Sequence, residues 1–469
     1  MDILQNFIRL FPVITPGLFA FLPLILKVIN NNKEINPRIV LSVHFLGILT
    51  SLLLFLLLGF RGNEVLSLRF DMYSTGACAL VALAALQSLP LFSFNQWIDK
   101  KQFTEILFLF SHGVAALYVF CLSQDLMTAF ISLEAASLMA YMVMALGRKE
   151  SLCLEAAIKY FVLSSLAGVV FLYGLSFIFG VVGGVDFLSL REMEQAQFNR
   201  FFFIGLVFLL AGLLFKMAVF PFQFWLADVY QGALTPLTSF MATGFKTAVV
   251  LFVGKLFQLP LFTFSHHGEW FVYGLGGVSV LTVLFGSVMA LKQVKLKRLA
   301  AFSSLTHSGY LMMALTGILT LTDQDFRPIF YYLLAYIFMT GGLFGAIQLL
   351  ETKNSQTDLG DLKGLFKNQF WLAGGLSLFL LGLAGVPPIF GFFSKVAIFQ
   401  PLILSQNWWL LFWALVGSAI GIYYYIKPLL FMLEKGEGRG FRTLGAKALI
   451  LFSGAGALFG AFIFGFFLG

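Results

Sequence analysis

Five ionisable residues stand inside otherwise apolar segments of the chain: Glu134, Lys159, Lys216, Lys246 and Lys395. A charge at the middle of a bilayer-spanning helix costs roughly 2.5–3.5 kcal/mol on insertion scales. Five of them represent on the order of 10 kcal/mol, comparable to the folding stability of a whole domain. Such groups persist where they pair, face water or move charge. Glu134 lies in Phe130-Ile-Ser-Leu-Glu-Ala-Ala-Ser-Leu-Met-Ala-Tyr141, and Lys216 in Gly212-Leu-Leu-Phe-Lys-Met-Ala-Val-Phe-Pro221. A carboxylate and an ammonium on adjacent spans neutralise each other, and forming or breaking that pair switches how tightly the lysine holds its proton. Lys246, in Ala242-Thr-Gly-Phe-Lys-Thr-Ala248, and Lys395, in Gly391-Phe-Phe-Ser-Lys-Val396, extend the series. His307, in Leu305-Thr-His-Ser-Gly309, is placed to link them through water.

Plainer readings stand beside these. Lys159 sits about one turn from Glu155 near a helix start, so a structural ion pair and a place on a charge path are both open. His307 reads either as a hydrogen-bonded core histidine or as a relay. His266 and His267 are loop residues, and Cys78, Cys121 and Cys153 lack metal-ligand spacing and read as small core residues. Glycine-rich nucleotide motifs, a cysteine cluster for iron–sulfur and paired haem histidines are all missing. Whatever drives the charge movement is not bound here.

The elements that position these residues are membrane helices. The chain has 469 residues, 59% hydrophobic and 11% charged, with mean hydropathy +0.92. So little polar surface cannot cover a soluble protein of this length. The net charge of +8 forms no basic stripe on a soluble domain, so nucleic acid is not expected as a partner. Apolar runs of about 20 residues recur from end to end, and strand-sized alternation is missing, which argues against a β-barrel. Met1 to Leu10 lacks a basic n-region and a small-residue cleavage site, so the first apolar stretch is expected to be retained.

An all-α polytopic fold of about 14 transmembrane helices is expected, with spans near 10–31, 38–60, 74–95, 104–122, 125–147, 154–181, 200–220, 234–258, 270–291, 299–319, 326–350, 369–400, 406–432 and 446–468. Prolines break two of them: the seventh at Phe220-Pro221, continuing to Tyr230, and the twelfth at Gly385-Val386-Pro387-Pro388. The breaks lie five spans apart, which predicts two five-helix repeats, inverted because five is odd. The division is then helices 1–3 over 1–103, a first repeat of helices 4–8 over 104–258, a second over 270–432 and a final helix over 446–469. Inverted repeats with discontinuous helices are an ion-translocating architecture. Loop Lys and Arg favour one side by nineteen to seven, which puts both termini on the periplasmic side.

Ordered blocks add a resemblance. They are Leu133-Glu-Ala-Ala-Ser-Leu138, Glu155-Ala-Ala-Ile-Lys-Tyr-Phe161, Lys216-Met-Ala-Val-Phe-Pro-Phe222 with Trp225 and Asp228-Val-Tyr230, and Gly232-Ala-Leu-Thr-Pro-Leu-Thr238 leading to Lys246. Lys297-Arg-Leu-Ala-Ala-Phe-Ser-Ser304 leads to His307-Ser-Gly-Tyr310, and Leu383-Ala-Gly-Val-Pro-Pro388 to Lys395. Together they resemble the subunit N family, antiporter-like membrane subunits of the proton-pumping NADH:quinone oxidoreductase (respiratory complex I), over roughly residues 124–430. The resemblance implies a channel that moves protons when quinone reduction elsewhere triggers it. Glu134 and Lys216 would be the modulating pair, Lys246 the centre of the path and Lys395 its outlet side, with His307 and Lys159 along it. It implies no cofactor on this chain. NADH, FMN, iron–sulfur clusters and quinone would sit on partner subunits: antiporter-like subunit M, small membrane subunits of the J, K and A type and, through them, the peripheral redox arm. The setting would be a bacterial inner membrane.

Two departures stand out. The family's usual histidine after the seventh-span break is Gln223, which cannot exchange a proton at ordinary pH. The following segment reads Ala227-Asp-Val-Tyr-Gln-Gly-Ala-Leu-Thr-Pro236 and has lost a proline and an acidic group. The competing functions are a subunit of a multisubunit sodium/proton antiporter, which shares the fold, and a scaffold that moves no ion.

Overall fold

Apolar runs inside a bilayer can satisfy their own backbone only by coiling into helices, and helices make up nearly all of the regular structure. The structure, a computed structural model, describes residues 2–30, 34–58, 63–95, 97–147, 151–193, 199–259, 268–351 and 357–436, with 454 and 456. Among these, ten helices are long and apolar enough to cross a membrane, from Ile8–Ile29 to Trp408–Leu433. They fall at expected spans. The remaining described spans are the two broken ones and Leu296–Leu319, which carries Ser303, Ser304, Thr306, His307 and Ser308 and is buried almost throughout. Polar content that would be costly against lipid is tolerated there because protein surrounds it. The expected final span, apart from residues 454 and 456, and the loop histidines His266 and His267 lie outside the described residues.

Both breaks are present. The Arg200–Lys216 helix stops at Lys216, and helix resumes at Leu226–Gly232. Proline 221 cannot donate a backbone bond, and Ala218 turns through φ 56°. The freed groups find side chains: Ser308 Oγ donates to Met217 O at 2.9 Å, and Phe220 N donates to Thr282 Oγ1 at 3.1 Å. The second break separates Phe370–Ala384 from Phe390–Leu404. Gly385 closes the first half with φ 84°, a left-handed turn that favours glycine, and its N–H bonds Leu381 O and Gly382 O.

The chain folds into two compact units. The first holds the residues up to Lys216 with two later pieces, Gly232–Leu237 and the stretch from Gly244; the second holds Met217–Gln231, Thr238–Thr243 and the described residues from 268 onward. In the first, three prolines interrupt the bonding of the Asp2–Ile29 helix. Pro16 has no N–H for Pro12 O, which is bonded instead by Thr15 Oγ1 at 3.0 Å and Ser51 Oγ at 2.6 Å. A small hairpin, Asn63–Val65 with Leu68–Phe70, is a strand pair that the sequence reading did not anticipate; Leu66 at φ 56° makes its turn.

One device occurs in each unit. In the first, Leu126 N bonds Val185 O and Phe187 N bonds Gln124 O, just before the Leu126–Gly147 helix. Lys255 Nζ then bonds the carbonyls of Cys121 and Ser123 at 3.3 and 2.8 Å. In the second, Leu296 N bonds Thr357 O and Leu359 N bonds Val294 O, just before Leu296–Leu319. Lys427 Nζ lies 3.5 Å from the carbonyls of Leu291 and Gln293. Each lysine caps carbonyls where a helix ends, complementing the partial negative charge there.

Glycines let helices approach backbone to backbone. A Cβ on Gly205 would lie 2.8 Å from Gly174 O, and one on Gly174 would lie 2.4 Å from Leu209 N. Gly205→Leu therefore overpacks the contact between Ser151–Val182 and Arg200–Lys216 and should destabilise by about 1–3 kcal/mol. Thermal unfolding in detergent checks this: the midpoint should fall, and an unchanged midpoint would mean that the close approach does not matter.

Candidate functional site

Lys216, at the end of its helix, is the hub of a cluster in the first unit. Its Nζ lies 2.9 Å from Glu134 Oε1 and donates to Ser137 Oγ at 2.7 Å and Ser164 Oγ at 2.5 Å. Three partners use the three hydrogens of an ammonium. Glu134 and Ser137 stand one turn apart on one face of Leu126–Gly147, and Ser164 comes from Ser151–Val182. The lysine side chain is 3% exposed and the glutamate 22%, so the carboxylate is the member of the pair nearer the molecular surface. Gly168 makes room for it, since a Cβ there would stand 3.3 Å from Glu134 Oε1.

Lys246 is buried at an irregularity that the sequence did not signal. The turn before it, Met241–Phe245, is π-helical, and Lys246–Phe257 resumes as α-helix. Such bulges shift the backbone register and leave carbonyls available for other donors.

In the second unit, Lys395 reaches back to the preceding break. Its Nζ donates to Ala384 O at 2.8 Å and Ser418 Oγ at 3.1 Å, and lies 5.7 Å from the centre of the Tyr310 ring. A cation on the last carbonyls of a half-helix meets the negative end of its dipole, and the aromatic face adds to that. Its stem crosses Gly385, where a Cβ would lie 2.8 Å from Lys395 Cδ. His307 is buried, with Nδ1 2.5 Å from the Tyr332 hydroxyl and Nε2 2.9 Å from the Tyr425 hydroxyl. His307 and Lys395 line one small cavity together with Tyr332, Tyr336 and Met339.

Lys159 is placed otherwise. It bonds Glu155 at 2.7 Å, and the two side chains are 41% and 56% exposed, so the deep burial expected for it is corrected. Its helix turns Ile158, Phe161, Val162 and Leu166 outward on the same side. The structural-pair reading of Lys159 matches this geometry. Two further lysines are buried. Lys255, inside the expected span 234–258, is the carbonyl cap described above, and the apolar run Val253-Gly-Lys-Leu-Phe257 is its signal in the sequence. Lys297, counted in the basic loop 292–298, pairs with Glu351 at 2.8 Å with side chains 5% and 1% exposed. Nothing in the local sequence distinguishes it from its solvated neighbours. Gln223 is buried, and neither amide atom has a hydrogen-bond partner among the described residues. Cys78, Cys121 and Cys153 are buried and form no disulfide among the described residues, and among those residues no three His, Cys, Asp or Glu cluster as metal ligands.

Paired and carbonyl-capped lysines at helix breaks define an ion-translocating class of membrane protein, and the comparisons agree with that class. Residues 123–421 match the family described as NADH:quinone oxidoreductase/Mrp antiporter, TM. NADH-quinone oxidoreductase subunit N of Bdellovibrio bacteriovorus is 35% identical over 444 residues, 92% of this chain and 90% of the relative. A chain of respiratory complex I from Thermus thermophilus, solved with bound aureothin, superposes with TM-score 0.83 at 28% identity over 97% of both chains. A chain of the Mrp complex from Dietzia sp. superposes at 0.80 with 22% identity, over 94% of this chain and 83% of that one, a likeness of fold alone. The chain belongs to the NADH-quinone oxidoreductase subunit N family, within the wider antiporter-like membrane family.

Removing one member of a buried pair strands the other. Lys297→Met should destabilise by about 3–5 kcal/mol, with most of that regained in the Lys297→Met/Glu351→Leu double variant. Thermal unfolding of the three proteins checks this, and an unchanged midpoint for the single variant would show that the pair carries no structural weight.

Proposed function

We propose that this chain translocates protons as a non-redox membrane-arm subunit of an NADH:quinone oxidoreductase. The observation that carries the reading is the buried Glu134–Lys216 pair, closed by Ser137 and Ser164 at the end of a broken helix. With the pair closed, the ammonium has a counter-ion. Opening it leaves a buried cation with two hydroxyl partners and no counter-ion, and burial without a counter-charge disfavours the charged form, so the proton is passed on. Lys246, His307 and Lys395 are the further stations, with Lys395 on the outlet side. Gln223 takes no proton, and a buried amide without a hydrogen-bond partner among the described residues is a place for bridging water. Lys159, paired with Glu155 on an outward face, fits a supporting role better than a station.

The repeated bridge and lysine cap around Lys255 and Lys427 support a division into two inverted repeats, 104–258 and 270–432. NADH, FMN, iron–sulfur clusters and quinone would belong to partner subunits. The contacts would be antiporter-like subunit M and small subunits of the J, K and A type, in a bacterial inner membrane with both termini periplasmic. Membership of a sodium/proton antiporter is the second reading, supported by the fold shared with the Mrp complex chain. Identity to named subunit N relatives over nine-tenths of the chain favours the first.

Membrane vesicles test it. Glu134→Gln and Lys216→Met should each lower NADH-driven acidification about tenfold, a loss of ~1.4 kcal/mol, while the complex assembles and reduces artificial acceptors normally. Full acidification in both variants would remove the switching role from the pair.

A further inference from the structure

The two tyrosine hydroxyls on His307 are not equivalent. A neutral imidazole has one N–H and one lone pair, so one hydroxyl donates to the ring and the other accepts from it. Tyr425 also meets Ser303 Oγ in a short contact, so its own hydrogen has an acceptor other than the ring. The Tyr332 hydroxyl has His307 Nδ1 as its hydrogen-bond partner among the described residues. The assignment that leaves no hydrogen stranded has Tyr332 donating to Nδ1, Nε2–H donating to Tyr425, and Tyr425 donating to Ser303. Tyr332 also lines the cavity that His307 shares with Lys395.

We propose that Tyr332 is the relay through which protons pass between that cavity and His307, with Tyr425 and Ser303 fixing the tautomer that makes Nδ1 the acceptor. The step balances. The Tyr332 O–H bond breaks as its proton moves to Nδ1, giving an imidazolium. In the same event the tyrosine oxygen takes a proton from the cavity side, from the Lys395 ammonium directly or through water, leaving a neutral amine. Afterwards Nδ1–H donates to Tyr332, whose new O–H points into the cavity; the Tyr425–Ser303 arm is unchanged. The other titratable groups facing His307 are Tyr310 on its own helix, Tyr336 on Arg327–Leu350, and Tyr424 behind Tyr425 on Trp408–Leu433. Of these, Tyr336 donates to Ser304 Oγ at 3.0 Å and is committed elsewhere. The inference rests on the proton-translocating reading.

The test uses the assembled complex in vesicles with Tyr332→Phe, Tyr425→Phe and Lys216→Met. Tyr332→Phe keeps the ring and should slow NADH-driven acidification about tenfold, with artificial-acceptor reduction intact. Tyr425→Phe, which loses the group that fixes the tautomer, should lower acidification less than Tyr332→Phe does and displace its pH profile. Site-specific 3,5-difluorotyrosine at position 332 keeps the hydroxyl while making it more acidic, so the pH profile of pumping should move to lower pH. This covers the case in which Tyr332→Phe does not assemble. Normal acidification in Tyr332→Phe, or an unmoved profile with difluorotyrosine, beside a defective Lys216→Met overturns the relay alone. Normal acidification in both Tyr332→Phe and Lys216→Met overturns the underlying function as well.

Discussion

A hydrocarbon solvent leaves neither a charge nor a backbone group unpaired without a penalty of several kcal/mol, and the structure around the buried lysines follows from that constraint. The two needs meet at the same places. A proline ends a helix and exposes carbonyls; a lysine needs acceptors for three hydrogens. Lys395 on Ala384 O answers both, and Lys216 at its helix end is answered by Glu134, Ser137 and Ser164. At Lys395 the break itself supplies a partner that the buried cation needs.

The same constraint separates lysines that hold structure from lysines suited to transfer. Lys255 is bound to two backbone carbonyls, groups that neither move nor titrate, and Lys297 to a carboxylate 1% exposed. Lys216 is bound to a carboxylate with an edge toward the surface and to two hydroxyls, all of which can turn. Lys395 is bound to one carbonyl and one hydroxyl and borders a cavity. Ligands that can exchange partners permit a proton to leave; fixed carbonyls do not. Glycines set the spacing, since Gly168 and Gly385 hold open the room that Glu134 and Lys395 occupy.

Much of this is legible in the sequence, because membrane helices announce themselves by length and a lone charge within one has few explanations. Glu134, Lys216 and the two proline breaks are placed by those signals alone. Lys159 misleads for the same reason: a charge in an apolar run says nothing of which face it occupies, and this one lies outward beside Glu155. The π turn before Lys246 has no residue signature in Met-Ala-Thr-Gly-Phe. The tyrosines on His307 come from other helices, 25 and 118 residues along the chain, and a tyrosine in an apolar run looks like any other packing aromatic until its hydroxyl is located. Lys297 and Glu351 each sit beside polar loops, and only the fold shows that both are buried.

The central claim, that buried lysines in this chain carry protons, is tested most directly by the ratio of protons moved to NADH oxidised in reconstituted vesicles containing the complex with Lys395→Met. The account predicts a ratio below that of the unsubstituted complex, with NADH oxidation by artificial acceptors unaltered. An unchanged ratio in a fully assembled complex would contradict it and leave Lys395 a structural cap on a broken helix.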